Sequence, residues 1–438
     1  MSARRRHVSV GVTTDTVALS DVVTLYRKRN LDHHKERDKI RAPVGRVRHW
    51  VPSLAQLCVK HLVDNFEEHP VYDVIPSTHA QLFTSQLPTT INPIVAAQYI
   101  FSEGYWKRRC ASKYAWHNCR IQEHGLMWKQ LYFETHAQET LEAWDDEDEP
   151  EETLLNQLAV CAEYIFTLTA HQLLGHPDMS RVCALFPNLC RLRIRYGVRK
   201  TGMDYERILF GMKISDAQGL TKYLKATDTL TTLILSMNLL DDDLLRMLMV
   251  GLIVNETVTH LDVSHNRITT HGARLLAKLL GANSVLTSLD LSDNFIYAEG
   301  GRYLARGLRE NSSLLELNLR LNRLTDEGGR MVADGCREHR ILSALNLSAN
   351  SIGADAVDGL GLMLQFAGTS LTALDLSANE ITTKELQILN ECVQQNSKLS
   401  SIDLRNNKFN AEHDEEARAA LDAIKGRVQS NEVSRDEA

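Results

Sequence analysis

The sequence predicts an α/β fold in which strand–helix units stack side by side behind a small, mostly helical N-terminal domain. The first observation is that the pattern LxLxxNxΦ, where Φ is apolar, recurs through the second half of the 438-residue chain. The second is its spacing, since consecutive copies lie 28 residues apart except for one step of 29. The third is a helical apolar period after each copy. Each unit is therefore expected to contribute one strand and one helix.

Every copy contains two apolar residues separated by one position, as in Leu289 and Leu291. Alternate residues of a strand face opposite sides, so this pair turns inward and the residue between faces solvent. An asparagine then ends the strand, and its amide can satisfy backbone groups that would otherwise stay unpaired in the turn. We assign this structural role to seven residues: Asn238, Asn266, Asn294, Asn322, Asn350, Asn379 and Asn407.

The segment after each asparagine has a period near 3.6, as at Ala273, Leu276 and Leu280. A helix is about 10 Å wide, whereas parallel strands lie about 4.8 Å apart, so stacked units must curve with the strands inside. The predicted fold class is α/β, a leucine-rich-repeat horseshoe of the ribonuclease-inhibitor-like type with 28-residue repeats, over residues 154–410.

A degenerate unit precedes the seven copies. Leu192 and Ile194 read as its strand, and Gly197 stands at the asparagine position. The distance from Gly197 to Asn238 exceeds one repeat, which indicates an insertion around residues 199–211. We interpret this insertion as a cap or a contact loop on the first turn.

Four further segments complete the predicted organisation. Residues 1–50 are rich in Lys and Arg and form a basic extended arm, either a disordered tail or a segment that binds an acidic surface. Residues 51–143 combine helical apolar patterns with many aromatic residues, which predicts a mostly helical domain. Residues 144–153 are too acidic to pack and are expected to form a loop or linker. Residues 411–438 should form a short closing helix, from Ala411 to Lys425, and a polar tail.

Catalytic and metal-binding patterns are absent from the sequence. Cys110, His117, Cys119 and His124 form the only cluster that suggests a metal, and their spacing matches no usual zinc signature. The chain contains no GxxxxGK[ST], GxSxG or HExxH motif and no GxGxxG after a strand. We therefore expect a protein that is not an enzyme and that binds neither cofactor nor metal.

The composition also bears on location. The most apolar stretch, residues 244–254, is short and contains Arg246, so it cannot span a bilayer. The eight cysteines are scattered without CxxC pairs, as in proteins of a reducing compartment. These features predict a cytoplasmic protein that binds protein partners, without a membrane or a nucleic acid among them.

The inner face of the arc is the most suggestive surface. The residues between the paired strand leucines are Ile234 and then a polar, mostly acidic strip: Asp262, Asp290, Asn318, Asn346, Asp375 and Asp403. The next column, expected to face outward, holds Ser236, Ser264, Ser292, Arg320, Ser348, Ser377 and Arg405. The strip either binds a basic partner or is the polar surface that any solvated strand needs. Repulsion between like charges on neighbouring strands favours the first interpretation.

Several segments resemble the dynein regulatory complex subunit 5 family. They are DNFEEHP at 64–70, YWKRRC at 105–110, HGLMWKQLYFETH at 124–136, YGVRKTGMDYE at 196–206 and LRLNRLTDEGG at 319–329. The resemblance covers roughly residues 50 to 410 and includes segments outside the repeats. It implies a non-catalytic subunit of the nexin–dynein regulatory complex, which links doublet microtubules in the axoneme of motile cilia and flagella. Other subunits of that complex are the implied partners, with inner-arm dynein or the doublet microtubule as further candidates.

Two other classes of function stay open at this point. A short helical segment before leucine-rich repeats is also the layout of F-box-type substrate receptors of ubiquitin ligases, although the aromatic middle segment argues against it. Repeats of this length also occur in a GTPase activator, for which Arg320 would be the candidate residue. Co-purification with ligase adaptors would support the first class, and stimulated GTP hydrolysis that depends on Arg320 would support the second.

Overall fold

The structure is a computed structural model, and it describes residues 52–71, 75–114, 119–145, 149–197, 210–282 and 285–436. The predicted basic arm at residues 1–50, most of the predicted insertion around residues 199–211, and His117 of the considered metal cluster lie outside the described residues.

The chain divides into two compact units, residues 1–66 and residues 67–438. The described part of the first unit contains helix α1 (Leu54–Asp64), as the apolar pattern predicts. Ser53 begins this helix with a capping box, in which its hydroxyl accepts from the Gln56 N–H and the Gln56 side chain accepts from the Ser53 N–H.

The second unit begins with a helical part that is built around aromatic side chains. Trp106 and Phe133 are fully buried with ring centroids 5.2 Å apart, and the Trp106 indole N–H donates to the Ile100 carbonyl at 2.9 Å. The described part also contains the short 3-10 helix Ile121–His124, which precedes the α-helix at residues 128–143, and the short 3-10 helix Ala162–Tyr164, which follows the last α-helix of this part. The α-helices are α2 (Ser77–Gln86), α3 (Pro93–Tyr99), α4 (Glu103–Lys113), α5 (Trp128–Ala143) and α6 (Glu151–Ala159).

The strands that the structure describes form a nine-stranded parallel sheet, in sequence order, after this helical part. Its register repeats from strand to strand, because Leu233, Leu261 and Leu289 are direct neighbours and all point into the core. The strands are β1 (Thr167–Leu173), β2 (Arg191–Tyr196), β3 (Thr232–Ile234), β4 (His260–Asp262), β5 (Ser288–Asp290), β6 (Glu316–Asn318), β7 (Ala344–Asn346), β8 (Ala373–Asp375) and β9 (Ser401–Asp403).

In the described residues, one α-helix follows each strand, and the helices of neighbouring units pack on one another. Glycines permit the closest approaches: a Cβ on Gly328 would lie 2.8 Å from the Ala298 Cα atom of the preceding unit. The helices are α7 (Met179–Ala184), α8 (Ile214–Ala226), α9 (Asp242–Leu252), α10 (Thr270–Ala282), α11 (Ala298–Glu310), α12 (Thr325–Cys336), α13 (Ala354–Gln365), α14 (Thr383–Gln395) and α15 (Glu415–Asp436).

Helix α5 is joined to the edge strand β1 by two carboxylates. The buried Glu134 accepts, through Oε1, from the N–H groups of Phe166 at 3.0 Å and Thr167 at 2.7 Å. Glu142 Oε1 accepts from the His171 N–H at 2.8 Å. Among the strands that the structure describes, β1 has a neighbour on one side only, so these side chains satisfy donors that a further strand would otherwise bind. The helical part from residue 67 and the sheet are thus one compact unit, although residues 51–143 are predicted from sequence as a separate domain.

Two predicted segments differ from the structure. Residues 144–153 are predicted as an acidic loop or linker, but Glu151 and Glu152 begin helix α6. Carboxylates at a helix N-terminus stabilise the helix, and both of these side chains also pair with Arg181. The closing helix does not end near Lys425 but continues to residue 436. Its apolar spacing extends past that point, because Val428 is buried as well.

Candidate functional site

The seven asparagines form a continuous ladder along the sheet. Asn266 is typical: its Nδ2 donates to the carbonyl oxygens of Leu235 and Val263 at 3.0 and 2.9 Å, and its Oδ1 accepts from the N–H groups of Asn238 and Leu240 at 3.0 Å. Each rung therefore ties one unit to the unit before it. A bond from Nδ2 to a carbonyl of the preceding unit is also made by Asn238, Asn294, Asn322, Asn350, Asn379 and Asn407.

The residue before each of these asparagines is left-handed, with φ between 51° and 61°. This conformation costs a non-glycine residue about 1–2 kcal/mol. Two of these residues, Met237 and Leu321, are also large, apolar and more than 40% exposed. The bend ends the strand and breaks its alternation of inward and outward side chains.

The predicted acidic strip is half-buried on the open face of the sheet, the face that the buried leucines turn away from. From Asp262 onward, each strip residue accepts, through Oδ1, from the N–H two residues later, as Asp290 does from Ser292 at 2.8 Å. Such turns give each of these positions a structural reason to be Asp or Asn. The same arrangement occurs at Asp262, Asn318, Asn346, Asp375 and Asp403.

Two amides reduce the charge repulsion along the strip. Asn318 Nδ2 donates to Asp290 Oδ2 at 2.9 Å, and Asn346 Nδ2 donates to Asp375 Oδ2 at 3.0 Å. The Asp290 and Asp375 carboxylates therefore have amides as well as other carboxylates beside them. The repulsion between carboxylates is smaller than the sequence suggests, and it is weaker support for a basic partner. The role of the strip in partner binding stays a prediction.

None of the five serines of the column is exposed, contrary to the prediction, and Ser236 and Ser377 are half-buried. Ser264, Ser292 and Ser348 are between 2 and 8% exposed, because the left-handed bend tucks them beneath the turn. Only the two arginines of the column are exposed. The Arg405 Nε donates to Asp403 Oδ1 at 3.0 Å, and the hydrogen bonds from this guanidinium lower the pKa of the Asp403 carboxyl. Arg320 forms no salt bridge with any residue that the structure describes.

Strand β2 carries a row of arginines that the sequence reasoning missed. Arg191, Arg193 and Arg195 are exposed on the open face and alternate with buried residues. The signal was present as RLRIRY in the degenerate unit. The predicted acidic strip is defined by the seven regular copies, so it does not extend to this degenerate unit.

A second missed surface lies at the turns between the strands and helices of neighbouring units. Phe295, Tyr297 and Leu321 are 37 to 46% exposed there. The Arg323 guanidinium lies 4.8 Å from the Phe295 ring and donates to the Tyr297 hydroxyl at 2.8 Å. Exposed aromatic rings beside an arginine are typical of protein interfaces. We call these four residues the turn patch.

Within the described part of the chain, no group of three or more His, Cys, Asp or Glu side chains is placed to hold a metal ion. Burial raises the pKa of the Cys110 and Cys161 thiols to about 12, so both stay protonated at neutral pH. None of the helices described is both long and apolar enough to cross a membrane.

His339 interrupts a second set of asparagine contacts, at the turns that lead into the strands. Asn311 represents the regular arrangement: its Oδ1 accepts from the Leu314 N–H at 2.8 Å and its Nδ2 donates to the Leu280 carbonyl at 2.8 Å. The equivalent His339 accepts through Nδ1 from the Leu342 N–H at 3.1 Å. Its Nε2 is buried and has no hydrogen-bond partner among the residues that the structure describes.

Replacing His339 by asparagine is expected to raise the free energy of unfolding by about 1 kcal/mol, because the amide can donate to a carbonyl of the preceding unit, as Asn311 does, whereas the buried Nε2–H has no acceptor among the described residues. Burial lowers the pKa of His339 below 6.5, so the neutral ring contributes stability that is lost as the pH falls through that value. The asparagine variant should not lose stability in this pH range through position 339, because asparagine does not titrate. Urea unfolding above and below pH 6.5 measures both effects, and a variant less stable than the parent at neutral pH would contradict the interpretation.

Comparison with known proteins identifies the repeats. A family model described as Leucine Rich repeat matches residues 254–277, 282–305, 310–333 and 369–384. Together with the parallel sheet and the helix after each strand, this match confirms the predicted α/β leucine-rich-repeat fold.

The chain is also similar to curated proteins named dynein regulatory complex subunit 5. It is 37% identical over 198 residues to the one from Chlamydomonas reinhardtii, a match that covers 45% of this chain and 50% of the relative. Those from Mus musculus and Homo sapiens are 31% and 30% identical over 231 residues, which cover 46% of each chain. The predicted resemblance is confirmed, and the chain spans about half the length of these relatives.

Solved structures with low similarity include the leucine-rich repeat domain of LRIM1, with a TM-score of 0.33 and 15% identity over 68% of this chain and 84% of that one. The leiomodin-1 actin-binding site 2 has a TM-score of 0.25 and 15% identity over 52% of this chain and 95% of that one. At these scores neither likeness carries an argument about function.

Proposed function

We propose that this chain is a non-catalytic scaffold subunit of the nexin–dynein regulatory complex in the axoneme of cilia and flagella. The observation that carries the proposal is the identity of 30–37% to proteins named dynein regulatory complex subunit 5. The partners are other subunits of that complex, and inner-arm dynein and the doublet microtubule are further proposed contacts. Through these contacts the subunit would regulate dynein-driven motility.

The geometry supports a scaffold in a specific way. The asparagine ladder fixes each unit against the next, so side chains on the open face keep a constant spacing of about 4.8 Å between strands. Such a surface can hold partners in a defined orientation without moving. The proposed contact surfaces are the acidic strip, the exposed Arg320 and Arg405, the arginine row on β2 and the turn patch.

The proposal is tested by tagging the protein in a ciliated cell, removing membranes with detergent and washing the axonemes with salt. We expect the tagged protein to stay with the axonemes and, after extraction at high salt, to co-fractionate with other subunits of the regulatory complex. A protein released with the detergent-soluble fraction would contradict the axonemal assignment. Recovery with ubiquitin-ligase adaptors would instead support the substrate-receptor alternative.

The GTPase-activator alternative has its own measurement. Arg320 is exposed and free of salt bridges within the described part of the chain, as an arginine supplied to a bound nucleotide would be. On the scaffold proposal, neither the purified protein nor its Arg320→Ala variant stimulates GTP hydrolysis by small GTPases of ciliated cells. Stimulation that is lost in the variant would overturn the assignment of a non-catalytic role.

A further inference from the structure

Strand β2 presents three positive charges in line on a rigid support. Arg191, Arg193 and Arg195 point to the open face while the residues between them are buried. Alternate residues of a strand are about 6.6 Å apart, so the row is about 13 Å long. The first ladder asparagine holds the strand in place, since Asn238 Nδ2 donates to the Ile194 carbonyl at 2.7 Å.

No carboxylate neutralises this row within the described part of the chain. In the sheet, Arg191 lies between Thr167 and Thr232, and Arg193 lies between Thr169 and Ile234. None of the three arginines forms a salt bridge with a described residue, unlike Arg405 at the other end of the sheet. Three like charges on one strand repel, so an anionic partner would relieve an unfavourable interaction as well as form new ones.

The surroundings distinguish between classes of anionic partner. Single-stranded nucleic acids are bound by aromatic side chains on which bases stack. Besides the three arginines, the positions of β1 to β3 that are not buried hold threonine, histidine, glutamine and isoleucine, with no Phe, Tyr or Trp. Two strands away, about 10 Å from β2, the carboxylates of the acidic strip begin at Asp262. These would repel a long polyanion that follows the sheet, so the row suits a short anionic segment.

We propose that the arginine row binds a short, extended acidic segment of a partner protein. Alternate carboxylates of an extended chain are also about 6.6 Å apart, which matches the spacing of the arginines. Each guanidinium can then form a bidentate pair with one carboxylate. This inference deepens the proposed scaffold function by giving the chemistry of one partner, and it rests on that function only for the presence of the partner in the axoneme.

A fluorescent decaglutamate peptide tests the inference by anisotropy with the purified full chain. We expect binding that weakens as salt is raised. Changing Arg191, Arg193 and Arg195 together to glutamine should reduce the affinity about tenfold or more. The matched control changes Arg302, Arg306 and Arg309 to glutamine, which removes the same charge from helix α11, and its affinity should stay within about twofold of the parent.

Each remaining outcome would overturn the inference. Absence of peptide binding by the parent, or an equal loss in the two triple variants, would show that the row is not a specific site. Tighter binding of an oligothymidylate of the same length would assign the row to nucleic acid instead. Circular dichroism and thermal melting of both variants establish that they are folded. Because the assay uses purified protein, its result is independent of axonemal retention, which tests the proposed function itself.

Discussion

Replacing Asn322 by alanine is expected to lower the free energy of unfolding by about 3–5 kcal/mol. Its Oδ1 accepts from the Ile296 N–H at 3.1 Å, and its Nδ2 donates to the carbonyls of Leu291 and Leu319 at 2.9 and 3.0 Å. Alanine would remove the hydrogen bonds that these three backbone groups form with the asparagine side chain, in a buried turn where water cannot easily replace them. Urea unfolding followed by far-UV circular dichroism measures the change.

The matched control is Asn318→Ala in the same unit. This residue is half-buried on the open face, and within the described part of the chain its side chain bonds the Arg320 N–H and Asp290. Water can replace both contacts, so we expect a loss below about 1 kcal/mol. Equal losses in the two variants would contradict the division into structural asparagines and surface residues.

Replacing Glu134 by alanine should destabilise the second unit by about 3–5 kcal/mol. The buried carboxylate accepts from two N–H groups at the start of β1 and also pairs with His124. Without it, the Phe166 and Thr167 N–H groups lose their acceptor, and one of the two carboxylate links between helix α5 and β1 is removed. Thermal unfolding followed by circular dichroism, with tryptophan fluorescence to report on the helical part, measures the effect.

Glu139→Ala on the same helix serves as the comparison. Glu139 pairs with Lys113 at 2.7 Å, but both side chains are more than a third exposed. Exposed ion pairs contribute at most about 1 kcal/mol, so this variant should unfold close to the parent. If Glu134→Ala were equally mild, the carboxylate would not be the group that joins helix α5 to β1.

The sequence predicts the ladder well because its cause is local and repeated. Each asparagine follows its strand at a fixed distance, so one physical explanation applies to every copy. Strand β1 was missed because TLTAHQL has neither the second leucine nor the asparagine of the pattern. The bonds from Glu134 to Phe166 and Thr167 were also beyond prediction, since they join residues 32 and 33 positions apart in segments without a shared motif.

The error about the serine column has a specific physical cause. The prediction applies the alternation of inward and outward side chains to positions such as Ser264 and Ser348, which lie beyond the last residue of the strand. The left-handed residue that follows each of these positions marks the turn, and the serine lies beneath it. Sequence patterns indicate where a strand lies more reliably than they indicate where its last side chain points.

Site-specific cross-linking in intact axonemes tests the central claim most directly. A photoreactive amino acid replaces Arg193 on the open face or, as the comparison, Arg306 on helix α11, and mass spectrometry identifies the captured proteins. The scaffold account predicts that position 193 captures subunits of the dynein regulatory complex, through an acidic segment, more efficiently than position 306. Capture of only soluble proteins or ligase adaptors, or no capture in salt-washed axonemes, would contradict the account while leaving the repeat fold unchanged.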